Sequence, residues 1–393
     1  MNATAKLALV LGPVTEQDFF EQYWEKKPLH VSRSSTAHFA PLLTLDAIEA
    51  ILSSQALFFP AVQLTQLGQT IGVSDYTDES RRILPHRLIE RHHEGATIVI
   101  SQAHEKIASL ADFRRDIQSE LKLRCQTNVY LSAQGQQGFN AHFDSHDVFI
   151  LQVAGTKTFN FYEGGVELPY QHDGFQADKH TVGALSQSIA LEPGDTLYIP
   201  RGVMHDAVAT DQTSLHITLG VYATTLRDVL MEMTQHLTDK DAVYRKSVPR
   251  DLQARLYNDD LSMKDKLQHV LTPNLNLEGV DSALSGIADT VAIDSTQNCA
   301  GMLSAYLFRP AIGKTIQLDL SRLTSVERTD ELIRLRTHGQ VLEFNDPLRA
   351  VIEKLLAAGD FEVSNIEGLD GDQTQTLYTR LRCANLLIIN DPR

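Results

Sequence analysis

A mixed α and β chain is the fold class this sequence predicts: an antiparallel double-sheet jelly roll, then a helical segment, then a small winged-helix-like unit. Three observations predict it. From about residue 124 to 222, short apolar or alternating runs recur between Gly, Pro, Asp and Asn, which is the texture of a sandwich or barrel. After Tyr222 the apolar period lengthens to that of an amphipathic helix. Toward the C-terminal end, helical stripes close on a short apolar strand. At 393 residues the chain exceeds one ordinary core, and boundaries are expected at 1–222, 223–307 and 308–393.

The elements follow in order. The apolar run Leu7 to Val14 is short and broken by Gly12-Pro13. Without a basic flank or a small-residue cleavage site it reads as a strand or a packing segment, not a signal peptide. Thr15 opens a helix carrying Phe19, Phe20, Tyr23 and Trp24 that Pro28 stops, and Thr44 opens another with Leu45, Ile48, Ile51 and Leu52. Val62 to Val73 reads as a strand pair and Ala96 to Ser101 as a buried strand. The central strands are Asn128 to Ser132, Val148 to Val153, Thr158 to Tyr162, Thr196 to Ile199 and Leu215 to Tyr222. Thr225 and Asp228 then start a helix with Leu226, Val229, Leu230, Met233 and Leu237 on one face. That face fits either an internal core or a homodimer contact. Asp346, Pro347 and the stripe Leu348, Val351, Ile352, Leu355 and Leu356 mark a further helix that Gly359 ends. A last helix with Leu377, Tyr378 and Leu381 leads into Leu386 to Ile389.

Composition excludes several classes. Apolar residues make up 42% and charged residues 22%, the balance of a folded globular chain. The net charge of −15 lacks the basic footprint of a nucleic-acid binder. Residues 321 to 393 hold nine Lys and Arg against twelve Asp and Glu, a net of −3, which is the wrong sign for phosphate contact by the winged unit. Such a field instead favours a basic protein partner. No run approaches the roughly 20 apolar residues of a membrane span. Cys125, Cys299 and Cys383 are odd in number and widely spaced, so a reducing cytoplasm is expected.

The chemistry centres on Asn140-Ala-His142-Phe-Asp144. In extended backbone, residues two apart share a face, so His142 and Asp144 aim an imidazole and a carboxylate at one spot. A third ligand has to come from elsewhere. The segment Glu192-Pro-Gly-Asp-Thr-Leu-Tyr-Ile-Pro-Arg-Gly-Val-Met-His205 delivers one through a turn, a strand and a second turn. Two histidines and one carboxylate leave three positions free, the facial arrangement of non-haem iron(II) oxygenases. His216 competes for the third place, or lines the same cavity beside Ser214, Thr218 and Gly220. His146 falls at the edge of the site, and His172 and His180 read as surface residues of a polar loop. Lys157 opens a strand thirteen positions after Asp144, and burial there demands an anion. Asn128 and Tyr130 share a strand face upstream and offer hydrogen bonds to the same ligand.

Together these segments resemble the JmjC-type ribosomal oxygenases, whose catalytic core is a double-stranded β-helix of the cupin kind. The resemblance lies in Asn128-Val-Tyr130, Gly138-Phe-Asn-Ala-His142-Phe-Asp144, Asp147-Val-Phe-Ile-Leu-Gln152, Gly155-Thr-Lys157 and Pro193-Gly-Asp-Thr-Leu-Tyr-Ile-Pro-Arg-Gly with His205. Phe20-Glu-Gln-Tyr-Trp-Glu-Lys-Lys-Pro-Leu-His30 is similar to the family's entry motif. The resemblance implies a catalytic domain over 1–222, a helical dimerisation domain over 223–307 and a winged-helix-like domain over 308–393. It implies iron(II) on His142, Asp144 and His205, with 2-oxoglutarate as cosubstrate and O₂ as oxidant. Lys157 would anchor the distal carboxylate, with Asn128 and Tyr130 in the same pocket. At Lys157 the chain looks like animal members rather than the bacterial members that carry Arg. The implied activity is hydroxylation of one Arg or His side chain on a ribosomal protein by a cytoplasmic homodimer, without direct contact to nucleic acid or membrane. Ser145-His146 departs from the family's usual pair after the ligands and leaves the target side chain open. Two rival readings use the same scaffold: a cupin-type metalloenzyme acting on a small molecule without 2-oxoglutarate, and a non-catalytic binding protein.

Overall fold

The computed structural model describes residues 6–67, 69–210, 212–240, 245, 247, 277–294, 315–358, 360–362 and 368–390. They divide into two compact units, Met1–Ala223 and Thr224–Arg393. The expected boundary near residue 307 falls outside the described residues.

The first unit contains helices α1 (Lys6–Leu11), α2 (Glu16–Gln22), α3 (Leu45–Ser54), α4 (Pro85–His93) and α5 (Ala108–Leu121). Its strands are β1 (Leu29–Val31), β2 (Val62–Gln66), β3 (Gln69–Thr70), β4 (Thr97–Ile100), β5 (Arg124–Ser132), β6 (Asp147–Ala154), β7 (Lys157–Tyr162), β8 (Leu185–Leu191), β9 (Thr196–Ile199), β10 (Met204–Ala209) and β11 (Ser214–Tyr222). One sheet runs in the order β1-β9-β6-β11-β5-β4-β2-β3, and a second, smaller one runs β10-β7-β8. All their pairings are antiparallel. This is the double-sheet jelly roll.

Side-chain alternation explains why β5 and β11 work both as core and as site. Their odd residues, among them Val129, Leu131, Leu215, Ile217 and Leu219, join the large apolar cluster that also holds Phe19, Leu110 and Phe113. The even residues of the same strands face the smaller sheet. Between the sheets a second cluster of Val148, Ile150, Phe159, Phe161, Leu197 and Ile199 closes one end of the sandwich. Phe19 is fully buried, and a Phe→Ala change in such a core costs about 3–5 kcal/mol.

Leu7 to Val14 is a correction to the strand expectation, since Lys6–Leu11 is helix. The reason is tertiary: the Lys6 and Leu7 N–H groups each donate at 2.8 Å to the Glu120 carboxylate, which caps the first turn from the end of α5. Thr15 and Thr44 cap α2 and α3 as their side-chain chemistry requires.

In the second unit, α6 (Leu226–Lys240) packs against the helix Leu277–Ile293. Six strands follow: β12 (Thr315–Leu318), β13 (Leu323–Arg328), β14 (Leu332–Thr337), β15 (Gln340–Asn345), β16 (Asp360–Glu362) and β17 (Leu387–Asn390). They form two three-stranded antiparallel sheets, β16-β12-β17 and β13-β14-β15. The helices Leu348–Ala358 and Gly371–Cys383 supply Val351, Ile352, Leu377 and Leu381 to their shared core. Buried Arg336 bonds Asp289 and Glu327, each at 2.5 Å, tying the 277–293 helix to this unit's sheet. Among the described residues no helix is long and apolar enough to cross a membrane.

Candidate active site

His142 and His205 face each other across one antiparallel bridge. The His142 N–H donates to the His205 carbonyl at 2.9 Å, and the His205 N–H returns to the His142 carbonyl at 2.7 Å. Two residues so opposed put their side chains on the same face. The imidazoles are also fixed in tautomer. Nδ1 of His142 donates to the Asn140 carbonyl at 2.8 Å, and Nδ1 of His205 to the Val203 carbonyl at 2.9 Å. Both Nε2 lone pairs are thereby aimed at the space between the rings. Asp144 completes the group, with carboxylate oxygens 3.9 Å from His142 Nε2 and 3.8 Å from His205 Nε2. One ligand atom from each of the three lies within 4.8 Å of the others. Burial acts to raise the Asp144 carboxyl, but His205, His146 and His142 together hold it below its ordinary value.

The turn before His205 is set by Gly202, at φ +84°, where a Cβ would stand 1.8 Å from the Val166 carbonyl oxygen. Its N–H donates to the Asp144 carbonyl at 2.8 Å, so the segments that carry Asp144 and His205 are stitched through glycine backbone.

These three side chains open onto a cavity of about 320 Å³ lined also by Thr97, Tyr130, Gly138, Phe139, Ile150, Lys157, Phe159, Ala207, His216 and Thr218. Lys157 is 4% exposed and projects inward from the start of β7, with its ammonium donating to Ser132 Oγ at 3.0 Å. Among the described residues no carboxylate pairs with it, and burial pushes its pKa down to about 7. Next to it, buried His216 stacks on Tyr130 at 4.9 Å, and its Nδ1 has no hydrogen-bond partner. Burial, with the neighbouring Lys157 charge, keeps that imidazole neutral, well below its ordinary pKa. A buried cation and an unpartnered polar atom lining one pocket call for an anionic ligand.

Comparison with known proteins follows the same lines. Residues 102–229 match the JmjC domain family. The bifunctional lysine-specific demethylase and histidyl-hydroxylase NO66 of Drosophila persimilis is 30% identical over 252 residues, covering 63% of this chain and 36% of that protein. Ribosomal oxygenase 1 of Gallus gallus is 26% identical over 292 residues, covering 70% of this chain and 48% of that one. The chain thus spans half or less of these relatives' length. Among solved structures, the Escherichia coli ribosomal oxygenase YcfD aligns over 96% of this chain and 98% of its own, with TM-score 0.54 and 15% identity. The chain thus carries a match to the JmjC domain and is similar to ribosomal oxygenases. A YcfD structure with cobalt and 2-oxoglutarate shares the fold at TM-score 0.51 and 16% identity.

Against that family pattern, His142, Asp144, His205, Lys157 and Tyr130 all line one cavity. Asn128 does not line it. Its Oδ1 accepts from the Gln102 N–H at 3.0 Å and its side chain bonds the Tyr130 hydroxyl, so it reaches the cavity through Tyr130. The groups beside Lys157 are Ser132 and His216, on the same alternating face of the strand pair β5–β11. Ser132 was missed in the sequence, although its register two positions beyond Tyr130 was the available signal. His146 stacks on Tyr222 at 4.9 Å just outside the cavity lining. His180, read as a loop residue at the surface, is partly exposed and packs at 4.9 Å from Phe143 and 5.6 Å from Phe175.

Proposed function

We propose that this chain is an iron(II)- and 2-oxoglutarate-dependent oxygenase that hydroxylates a side chain of a ribosomal protein. The observation that carries the reading is a 2-His-1-carboxylate group and a buried, unpaired Lys157 in one cavity. Each His offers a free Nε2 and Asp144 a carboxylate oxygen, the donor set suited to non-haem iron(II). When bound, iron with 2-oxoglutarate and O₂ supplies the oxidant for an unactivated C–H bond, and succinate and CO₂ are released. The chain's own residues do the placing. Lys157, with Ser132 and His216 behind it, holds the distal carboxylate. The stacked Tyr130 and His216 rings form one flat wall, and Phe159 and Ile150 keep water from the reacting end. A cupin enzyme acting without 2-oxoglutarate leaves Lys157 with no anion, which disfavours that rival.

The charge inventory favours a neutral target side chain. Among the described residues Asp144 is the one carboxylate lining the cavity, and as a metal ligand it would be committed. An entering guanidinium would lose water without gaining a carboxylate, whereas a neutral imidazole carries no such cost. The NO66 relatives, named as histidyl-hydroxylases as well as lysine-specific demethylases, support the imidazole reading through the first of these activities. Incubation with iron(II), 2-oxoglutarate and a washed ribosomal-protein extract is expected to yield succinate and +16 Da on a His-containing peptide. Modification of Arg alone would sink the imidazole preference, and no stimulated turnover would sink the oxygenase reading.

We also assign the chain a cytoplasmic homodimer state. On α6, Leu226 is 84% exposed, Leu230 54% and Met231 58%, while Met233 is buried. Such an apolar strip suits a second copy. Leu230→Glu is expected to halve the mass measured by light scattering, and an unchanged mass would exclude this face.

A further inference from the structure

Arg201 and Glu25 belong to two segments that the proposed chemistry leaves unused, the Pro200-Arg-Gly turn and the N-terminal Phe20 to His30 motif. In the fold they meet. The Arg201 Nη1 lies 2.5 Å from Glu25 Oε1 and 3.0 Å from Asp147 Oδ2. The Tyr198 hydroxyl donates to Asp147 Oδ1 at 2.6 Å and accepts the Glu25 N–H at 2.9 Å. Glu25, Arg201, Asp147 and Tyr198 thus close a ring. Arg201 is 7% exposed, while Asp147 and Tyr198 are fully buried.

The place of the ring in the chain gives it meaning. Asp147 lies three residues after ligand Asp144, Arg201 lies four before ligand His205, and neighbouring Gly202 bonds the Asp144 carbonyl. A buried ion pair is a poor source of stability, since apolar residues of similar volume fill the space at lower cost. It is a good source of geometry, because a planar guanidinium holds two acceptors in set directions. Ligand atoms need placement to within about 0.2 Å.

Resting on the metal-centre reading above, we propose that Arg201 is a positioning residue that sets the spacing of the Asp144 and His205 segments, and that Glu25 holds Arg201 in place. The N-terminal motif then serves the metal site without touching it.

The test is Co(II) affinity and visible spectrum of the full chain, with no cosubstrate, beside thermal unfolding. Arg201→Lys keeps the charge and loses the planar Nη1 that serves both carboxylates, Glu25→Ala opens the ring at its partly exposed member, and Phe113→Leu loosens the large apolar cluster from α5, which carries no ring member. Arg201→Lys is expected to weaken Co(II) by about 10- to 100-fold with an altered spectrum, as loss of such supporting contacts does. Glu25→Ala moves less in the same direction. Phe113→Leu lowers the melting temperature and leaves Co(II) affinity at the wild-type value. Folded Arg201→Lys and Glu25→Ala with wild-type affinity overturn the proposal, and so does an equal loss in Phe113→Leu. Should Arg201→Lys fail to fold, Glu25→Ala decides alone. A wild type that binds no Co(II) overturns the metal centre itself.

Discussion

Replacing Asp144 by Ala is expected to lower 2-oxoglutarate turnover at least about 10³-fold, because the metal loses its one anionic ligand. The two remaining imidazoles carry no charge to offset that of the cation, and among the described residues no other carboxylate lines the cavity. The loss should not come from unfolding. Asp144 accepts the Gly202 N–H through its backbone carbonyl, which Ala retains, and its side chain is 29% exposed rather than packed in the core. Succinate release, Co(II) titration and thermal unfolding of both proteins check this. Turnover retained in the folded variant would mean the ligand set is wrong.

Lys157→Met is expected to raise the KM for 2-oxoglutarate at least about 30-fold, the equivalent of about 2 kcal/mol for a truncated buried charge pair. With the cosubstrate saturating, kcat should fall much less, because Lys157 is not one of the three side chains that could hold the metal. The ligand-free protein gives a second, opposite sign. Burial lowers the Lys157 pKa from 10.5 to about 7, so between these values the unfolded chain binds more protons than the folded one. Folding stability contributed by this group therefore rises with pH across that window, and its penalty is fully present below about pH 7. Lys157→Met removes the penalty. The ligand-free variant should melt higher than wild type at pH 6.5, with the gap closing toward pH 9.5. A gap that widens with pH, or an unchanged KM, would place Lys157 outside the cosubstrate site.

Local periodicity was enough for part of the site. His142 and Asp144 stand two apart, and the Gly194 and Gly202 turns punctuate the run to His205 clearly enough to be read from residue types. Lys157 was legible because an amphipathic strand placed it on the inward side, where only a counter-charge explains it. Asn128 shows the limit of the same logic. Its strand face was correct, yet its distance along the strand puts it with Gln102 rather than with Lys157, and a face does not fix depth. The helix at Lys6–Leu11 was illegible because its cap comes from Glu120, more than a hundred residues away. The six strands between 315 and 390 were largely unread, because short strands such as Leu323–Arg328, half-buried along their length, carry little alternation.

The sequence by itself determined the jelly-roll class, the pair His142 and Asp144, the candidacy of His205 and the need for an anion at Lys157. These follow from period, turn chemistry and the cost of burying charge, all of which act over a few residues. The tertiary structure decided which histidine completes the group, because His205 and His216 differ only in which sheet carries them. It placed His205 across the bridge from His142, and His216 beside Lys157 on the opposite sheet. It alone also brought Glu25, Asp147 and Arg201 together. Contacts between segments that distant in the chain are set by sheet register and helix packing, and no local pattern encodes them.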